Sequence, residues 1–387
     1  MNTLEILNSN PIFILPKKYE KKIFPDFLKE LYDDFLKTID QIDRGTIVEK
    51  IKTNRNKLEN FCNTILKCID AYYLGLPAKA YVEFVEAMDL IGEFIFPPKA
   101  GQIARIQEEP YYRARPGKEF LYEKKEMFHV PFEKREDVTT KRFSIPGLPC
   151  LYLSNSVYTC WEELGRPDIN KMQVARLTLD NPAIKFLDLS RSPSYLIRHL
   201  NFATSEQFLQ GKQTAEQALN ERDYLTLDFF MKWPLMAACS INVKKIDGTF
   251  KPEYVIPQFL LQWVRDSKNI DGIKYFSVRT NISSQHDFSR HSNYAFPVKE
   301  TKAEGLCDTL SKSFSMTETV SWEMLSIINP DIVMHNQEKM RNATYLGNDN
   351  IDAWLEFIKG QEMIYWRTIF GKIEIELGNM PFEKIQC

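Results

Sequence analysis

Apolar residues recur every three or four positions along the first hundred residues of the chain. Three runs have this period, over residues 27–39, 47–69 and 81–91. An apolar stripe with that spacing is typical of amphipathic helices that pack against a core. Gly75 and Pro77 separate the second run from the third. The pattern therefore predicts an all-α N-terminal region.

The stretch Pro97-Pro98-Lys99-Ala100-Gly101 ends the helical period. Proline and glycine in this density are typical of a linker between structural units. We therefore expect a helical domain over residues 1–98 and a second domain over 101–387. The core of the second domain is expected at about 105–300, followed by a C-terminal extension.

Short apolar runs bounded by proline, glycine and charged residues follow the linker, which is the pattern of strands. The predicted strands are 128–130, 150–153, 174–177, 184–187, 271–277 and 294–298. Two longer runs, 224–238 and 253–265, have the helical period instead. This mixture predicts an α+β fold for the second domain.

The pattern is less regular beyond residue 301. Residues 317–322 favour a strand and residues 351–359 a helix, whereas 369–377 fit either structure. There is no internal repeat and no low-complexity segment.

Composition narrows the classes of function. The 387 residues are 44% hydrophobic and 26% charged, with a net charge of -2, which gives no electrostatic case for a nucleic acid or an anionic membrane as partner. No run approaches eighteen apolar residues, so no membrane span is expected. The seven cysteines form no CxxC pair and the histidines no HxxxH pair, so we expect a cytoplasmic protein without a metal.

The candidate chemistry begins with arginine. Arg113 and Arg115 lie in the sequence Tyr-Arg-Ala-Arg, and Arg142 precedes a Pro-Gly turn. The guanidinium group binds phosphate through two parallel hydrogen bonds. These residues are therefore candidates for holding a phosphorylated ligand.

An aromatic and an acidic residue follow. Tyr152 lies on the predicted strand 150–153, and Glu163 comes eleven residues later, next to Glu162. A carboxylate stabilises positive charge that develops on a sugar ring, and a tyrosine ring can stack on a base or a sugar. Spacing favours Glu163 of the two glutamates, but Glu162 stays open.

Taken in order, five elements resemble the RES domain family. They are Tyr112-Arg113, Lys141–Ser144, Leu151–Ser154, Glu163 and Asp271–Arg279. The last resembles the family's Asp-Gly-Ile-x-Tyr-x-Ser-x-Arg segment and places its serine at Ser277. The resemblance covers residues 105 to 300, about half of the chain.

The second element departs from the family pattern. Lys141, Phe143 and Ser144 stand where the family has Gly, Trp and Asn. This departure keeps open the alternative of a non-catalytic NAD-binding or interaction module.

The resemblance implies a domain with the shape of an ADP-ribosyltransferase that cleaves NAD between nicotinamide and ribose, with water or phosphate as acceptor. It implies NAD as substrate and Arg113, Glu163 and Ser277 as catalytic residues. It also implies Arg142, Tyr152 and Arg279 as cofactor-binding residues, and Arg115, next but one to Arg113, is a further candidate for binding the cofactor. Many family members are toxins or defence effectors that deplete NAD.

The family also implies partners and a role for the helical region. An antitoxin or other regulatory protein is expected, the helices resemble HEPN-type domains, and a homo-oligomer stays open. Active HEPN ribonucleases need an Arg and His pair, and no histidine precedes His129, so we do not expect a ribonuclease. An ADP-ribosyltransferase that modifies a macromolecule remains the alternative enzyme.

The histidines are secondary candidates. His129 lies within a predicted strand, which favours a structural role. His286 and His291 follow Ser277 closely enough to approach the same site.

Overall fold

The computed structural model describes residues 1–96, 110–194, 196–197, 214–279, 291–328, 354–358 and 361–385. Its N-terminal part is helical, as the apolar repeat predicts. The helices are α1 (Thr3–Ser9), α2 (Phe24–Asp40), α3 (Val48–Tyr73), α4 (Pro77–Leu90) and α5 (Gly92–Ile95).

The turn between α3 and α4 follows from its sequence. Gly75 has a φ of 76°, a left-handed conformation that glycine adopts without strain. Pro77 is the first residue of α4, where its missing N–H has no helical partner to lose. The two helices therefore form a hairpin that buries Leu58, Ile65 and Phe84 between them and the rest of the core.

The second part of the described chain is built on one mixed sheet. The strands of this sheet are β1 (Tyr111–Arg115), β2 (Cys150–Ser154), β3 (Gln173–Leu179), β4 (Phe186–Leu189), β5 (Gly272–Phe276), β6 (Ser292–Pro297), β7 (Phe314–Met316), β8 (Val320–Ser321) and β11 (Glu383–Lys384). They run in the order β11-β7-β3-β1-β2-β6-β5-β4, with β8 also paired to β3. Among the described strands of this sheet, β4 and β5 are parallel and the other pairs antiparallel.

A separate hairpin and several helices surround the sheet. The hairpin consists of β9 (Trp354–Ile358) and β10 (Gln361–Ile364). The helices are α6 (Lys124–Met127), α7 (Val157–Glu163), α8 (Ala215–Ser240), α9 (Val255–Asp266), α10 (Asp308–Ser313), α11 (Trp322–Ile328) and α12 (Ile369–Gly378). The described chain is thus α+β with an N-terminal helical region.

The helical region shares a hydrophobic core with α8 and α9. Phe35 of α2 stacks on Trp233 of α8 with ring centroids 4.2 Å apart. The Tyr32 hydroxyl donates a hydrogen bond of 2.9 Å to the Pro234 carbonyl. The predicted boundary at 97–101 lies outside the described residues, so the division into two domains stays a prediction.

Most predicted elements are confirmed, and two are wrong. Residues 128–130 form no strand, because the His129 ring is buried and accepts the Cys307 N–H there. The predicted helix 351–359 is wrong as well, since Trp354–Ile358 is strand β9. Its antiparallel partner β10 begins at Gln361, three residues after the end of β9. The ambiguous segment 369–377 is helical, as α12.

Candidate functional site

Helix α7 brings Glu163 to the sheet. The Ser156 hydroxyl accepts a hydrogen bond of 3.1 Å from the Thr159 N–H and so caps the start of the helix. Just beyond its end, Gly165 has a φ of 80°. This conformation ends helices readily. Glu163 is therefore the last residue of α7.

Ser277 reaches Glu163 from a distant part of the chain. It follows β5 directly, and its side chain is fully buried. The Ser277 Oγ donates a hydrogen bond of 2.7 Å to Glu163 Oε1, although the two residues are 114 positions apart. The backbone N–H of Ser277 donates to the His291 carbonyl at 2.6 Å, which fixes the end of the strand. The fold thus joins two of the predicted catalytic residues.

Asn293 is a member of this group that the sequence did not reveal. It lies on β6, one residue before the predicted strand 294–298, and only 3% of it is exposed. Its Nδ2 donates to Glu163 Oε1 at 2.7 Å, and its Oδ1 accepts from Ser154 Oγ at 2.6 Å. The one sequence signal was a polar residue at the start of an otherwise apolar strand.

Arg279 completes what we call the carboxylate side, which consists of Glu163, Ser277, Asn293 and Arg279. The Nε of Arg279 lies 3.7 Å from Glu163 Oε2. The two oxygens of the carboxylate therefore differ: Oε1 accepts two hydrogen bonds, and Oε2 faces a cation on a partly exposed side chain. Oε2 is the oxygen that a ligand can approach.

Glu162 points elsewhere. It is 4% exposed and forms a bidentate pair with Arg166, with distances of 2.9 and 3.0 Å. Neighbouring residues on a helix point about 100° apart, so only one of the two glutamates can face β5 and β6. Glu163 is the one that lies with Ser277.

Arg113 lies on β1 with an incomplete set of partners. Its Nη1 donates to the Tyr152 carbonyl at 2.8 Å. Its Nε is buried and has no hydrogen-bond partner among the described residues. Burial, followed by the charge of Arg115, lowers the pKa of Arg113 to about 9. The second cause, a like charge close by, indicates a site where an anion would be favoured.

Arg115 shares these properties. Its Nη2 lies 3.4 Å from the Phe128 carbonyl, and its guanidinium carbon lies 5.6 Å from the centre of the Tyr122 ring. Its Nε is also buried without a partner in the described part of the chain, and burial lowers its pKa. We call Arg113 and Arg115 the arginine side.

Arg142 has protein partners for both of its outer nitrogens. Nη1 donates to the Cys239 carbonyl at 3.0 Å and Nη2 to the Ile241 carbonyl at 2.9 Å. These carbonyls lie at the C-terminus of α8, where the helix dipole favours a positive charge. The guanidinium also lies 5.3 Å from the Tyr254 ring. We therefore assign Arg142 to holding its own loop against α8.

Tyr152 supports the same loop. Its hydroxyl donates to the Phe143 carbonyl and shares a second hydrogen bond with Ser144 Oγ, each at 2.6 Å. The loop residues 141 and 144 are held from the other side by Gln258, whose Nε2 donates to both carbonyls. The Tyr152 hydroxyl is thus already occupied, and only its ring is left to meet a ligand.

Lys141 connects the two sides electrostatically. Burial and then the charges of Arg113 and Arg279 lower the pKa of Lys141, whereas the charge of Glu163 acts in the opposite direction. Strand β2 lies between β1 and β6, with Ser154 opposite both Tyr112 and Asn293. Lys141 is therefore within electrostatic reach of both sides.

The C-terminal segment fixes the other end of α7. Glu374 of α12 is 4% exposed, and its Oε1 accepts the Val157 N–H at 2.7 Å and the Tyr365 hydroxyl at 2.5 Å. A carboxylate at a helix N-terminus is favoured by the unpaired N–H groups and by the dipole. Phe370 adds ring contacts to α7, 5.3 Å from Tyr158. The predicted extension is thus part of the packing that positions Glu163.

The described histidines have structural contacts. His129 is fully buried, its Nδ1 bonds the Val130 carbonyl, and burial lowers its pKa to about 4. His291 contacts Thr159 of α7 through Nδ1 at 3.4 Å. His286 lies outside the described residues. Across the described ranges, no group of three or more His, Cys, Asp or Glu residues could hold a metal ion.

The arrangement suits one kind of chemistry. A carboxylate with one oxygen fixed and the other accessible can stabilise a cation that forms on a sugar. Two arginines with buried and unpartnered N–H groups can bind phosphate. Together they fit a ligand that carries phosphate at one end and a reactive sugar at the other.

Comparisons with known proteins add one relative. "Putative toxin YopC" of Bacillus subtilis (strain 168) is 36% identical over 302 residues, which are 77% of this chain and 65% of that protein. The chain therefore spans just under two thirds of the length of this relative. No family model matches the chain, and no solved structure matches it. The likeness is thus to a protein that is named as a toxin.

In the part of the chain that the structure describes, none of the helices combines the length and the apolar character that a bilayer crossing requires.

Proposed function

We propose that this chain cleaves NAD at the bond between nicotinamide and ribose. The observation that carries the proposal is the 2.7 Å hydrogen bond between Ser277 and Glu163, which unites two residues that the RES resemblance implies from separate segments. A glutamate held in this way beside a cationic pocket is what N-glycosidic bond cleavage requires.

The arginine side would bind the pyrophosphate of NAD. Arg113 and Arg115 each have a buried Nε without a described partner, and a phosphate oxygen would supply one. Lys141 would add a third positive charge. This binding would set the nicotinamide ribose at the carboxylate side, since the charge of Lys141 acts within reach of both sides.

The carboxylate side would carry the reaction. The bond between C1 of the ribose and the nicotinamide nitrogen breaks, and its electron pair leaves with neutral nicotinamide. Glu163 Oε2 stabilises the oxocarbenium ion that forms. Water then attacks C1 and releases a proton, so NAD and water give ADP-ribose, nicotinamide and a proton. Phosphate in place of water would give a phosphorylated ADP-ribose.

We also propose that the biological role is that of a toxin that depletes NAD. The similarity to a protein named as a toxin supports this role. An enzyme that consumes NAD would harm its own cell, so a regulatory partner such as an antitoxin belongs to the proposal. An ADP-ribosyltransferase would use the same bond cleavage with a macromolecule as acceptor.

The test is to incubate the purified full chain with NAD and to follow nicotinamide and the second product by chromatography, with and without phosphate. We expect nicotinamide and ADP-ribose in equal amounts. NAD labelled in the adenylate part identifies a transferase, because the label would then remain on a macromolecule. Absence of NAD loss in both buffers would contradict the proposed activity.

A matched measurement addresses the toxin role. Wild type and Glu163→Gln are expressed to equal levels, and cellular NAD is measured over time. We expect NAD to fall and growth to stop with the wild type alone. Equal growth arrest by both proteins would show that toxicity does not come from this site.

A further inference from the structure

We propose that Asn293 is a positioning residue that selects which oxygen of Glu163 meets the substrate. The inference rests on the proposed function, since it concerns the same site. It adds a residue that neither the RES resemblance nor the sequence pattern assigns.

The hydrogen bonds determine how the Asn293 amide is oriented. Ser154 Oγ donates to its Oδ1 at 2.6 Å, so the amide NH₂ must face Glu163, 2.7 Å away. An NH₂ group can only donate, and therefore its partner must be an acceptor oxygen. Because Asn293 is 3% exposed, water cannot readily replace either bond.

The backbone holds this orientation in place. Asn293 lies opposite Ser154 on β2 and opposite Tyr275 on β5, in the middle of three paired strands. Ser277, two residues beyond Tyr275, donates to the same Glu163 oxygen. Two donors from two strands thus occupy Oε1, and the ligand is left with Oε2.

Hydrogen-bond donors and cations surround the Glu163 carboxylate. Ser277 and Asn293 donate to it. The nearby cations are Arg279, three residues beyond the end of β5, and Lys141 of the 141–144 loop. Its charge also acts on three buried groups, namely Arg142, Tyr275 and Cys160. An aspartate at position 293 would place a second carboxylate next to Glu163, and two adjacent carboxylates resist being charged together.

The experiment compares Asn293→Asp, Asn293→Ala and Ser154→Ala with the wild type in the full chain. We expect Asn293→Ala to lower kcat about 10- to 100-fold with KM changed less than about 3-fold, because the carboxylate loses its alignment but the phosphate contacts remain. In Asn293→Asp, the acidic limb of the kcat profile should move about 1 to 2 pH units higher. Ser154→Ala should give a smaller loss of kcat in the same direction.

A spectroscopic readout separates this inference from the proposed function. Carboxyl carbons of glutamate are labelled with ¹³C, and the Glu163 resonance is identified by its loss in Glu163→Gln. Its titration midpoint should lie higher in Asn293→Asp than in wild type, by about 1 to 2 pH units. This result is measurable even if the protein does not turn over NAD. Circular dichroism checks that each variant is folded.

Two outcomes would overturn the inference. One is an unchanged titration midpoint in folded Asn293→Asp. The other is a rise in KM with unchanged kcat in Asn293→Ala, which would make Asn293 a ligand contact instead. If Asn293→Asp does not fold, Ser154→Ala decides, because it leaves Asn293 in place and removes only the bond that orients the amide.

Discussion

The carboxylate side and the arginine side are held by different kinds of partner. Glu163 accepts hydrogen bonds from the side chains of Ser277 and Asn293, and Arg279 lies near its second oxygen. Arg113 and Arg115 contact backbone carbonyls, and neither forms an ion pair within the described residues. The carboxylate side therefore has its side-chain partners before any ligand binds, whereas the arginine side still has buried N–H groups without a described partner.

The difference indicates how the two sides divide their tasks. A buried N–H group without a partner costs about 1–3 kcal/mol, so the arginine side is costly to the folded protein as it stands. An anion that supplies the missing acceptors would recover this free energy on binding. The carboxylate side is preorganised instead, which is the property that stabilises a developing charge without rearrangement.

The largest expected effect is at Glu163. Glu163→Gln should lower the rate of nicotinamide release by about 10³-fold or more, because an amide cannot balance the positive charge on the ribose. Binding should change little, since the phosphate contacts are unaffected. The measurement is the initial rate at saturating NAD.

Glu162→Gln is the matched control for this substitution. It removes a carboxylate from the adjacent position, but one that pairs with Arg166 away from the site. We expect lower thermal stability with turnover retained. Equal loss of turnover in both variants would show that the carboxylate side is assigned to the wrong residue.

His129 should make the stability of the folded protein depend on pH. Burial and the nearby charge of Arg113 place the pKa of His129 at about 4, below the 6.5 of the unfolded chain. Between these values the unfolded chain binds more protons, so stability rises with pH through this window and falls as pH drops from 6.5 to 4. The contribution is about 3 kcal/mol when fully developed.

The measurement is urea unfolding at several pH values for wild type and His129→Gln. We expect the wild type to lose stability over this window by more than the variant does. If the two curves run parallel, His129 does not contribute this pH dependence.

Arg113 tests the ligand role of the arginine side. Arg113→Met should raise the KM for NAD about 10- to 100-fold, which corresponds to about 1.4–2.7 kcal/mol of lost binding. The same change removes a desolvated cation, so the ligand-free variant should be at least as stable as the wild type. Steady-state kinetics and thermal melting are measured together. A lower melting temperature with unchanged KM would make Arg113 structural.

In contrast to Arg113, Arg142 should affect stability and have the smallest effect on function. Because its nitrogens bond the carbonyls at the end of α8, Arg142→Met should cost about 1–3 kcal/mol of folding free energy. The KM should stay within about 3-fold of the wild type. A large rise in KM without loss of stability would return Arg142 to the phosphate site that the sequence predicted.

The sequence identified the candidate residues that lie in a recognisable pattern of segments. Glu163 and Ser277 stood out because the spacing of their segments resembles a known family, and the fold brings them into contact. Asn293 did not, since a polar residue at the start of an apolar strand does not reveal which side chains it contacts. Arg142 is a different case. The sequence marks it as a candidate for binding phosphate, whereas its outer nitrogens bond backbone carbonyls, and a sequence does not distinguish these two kinds of partner.

The elements of the fold were predictable to different degrees. Helices α2, α3 and α4 follow from a long apolar period, which few other structures share. Strand β9 lies in a segment whose pattern predicts a helix, because five residues are too few to establish a period. The core shared by α2 and α8 joins residues about 200 positions apart, as in the Tyr32 to Pro234 hydrogen bond, and no local pattern contains that information.

The most direct test is a crystal structure of Glu163→Gln with NAD, in which binding is retained and turnover is slow. We expect the pyrophosphate within hydrogen-bond distance of the Nε atoms of Arg113 and Arg115. The nicotinamide ribose should then lie against residue 163, with Ser277 and Asn293 still in contact with that side chain. NAD bound with its nicotinamide at the arginine side, or bound away from both sides, would contradict the proposed site.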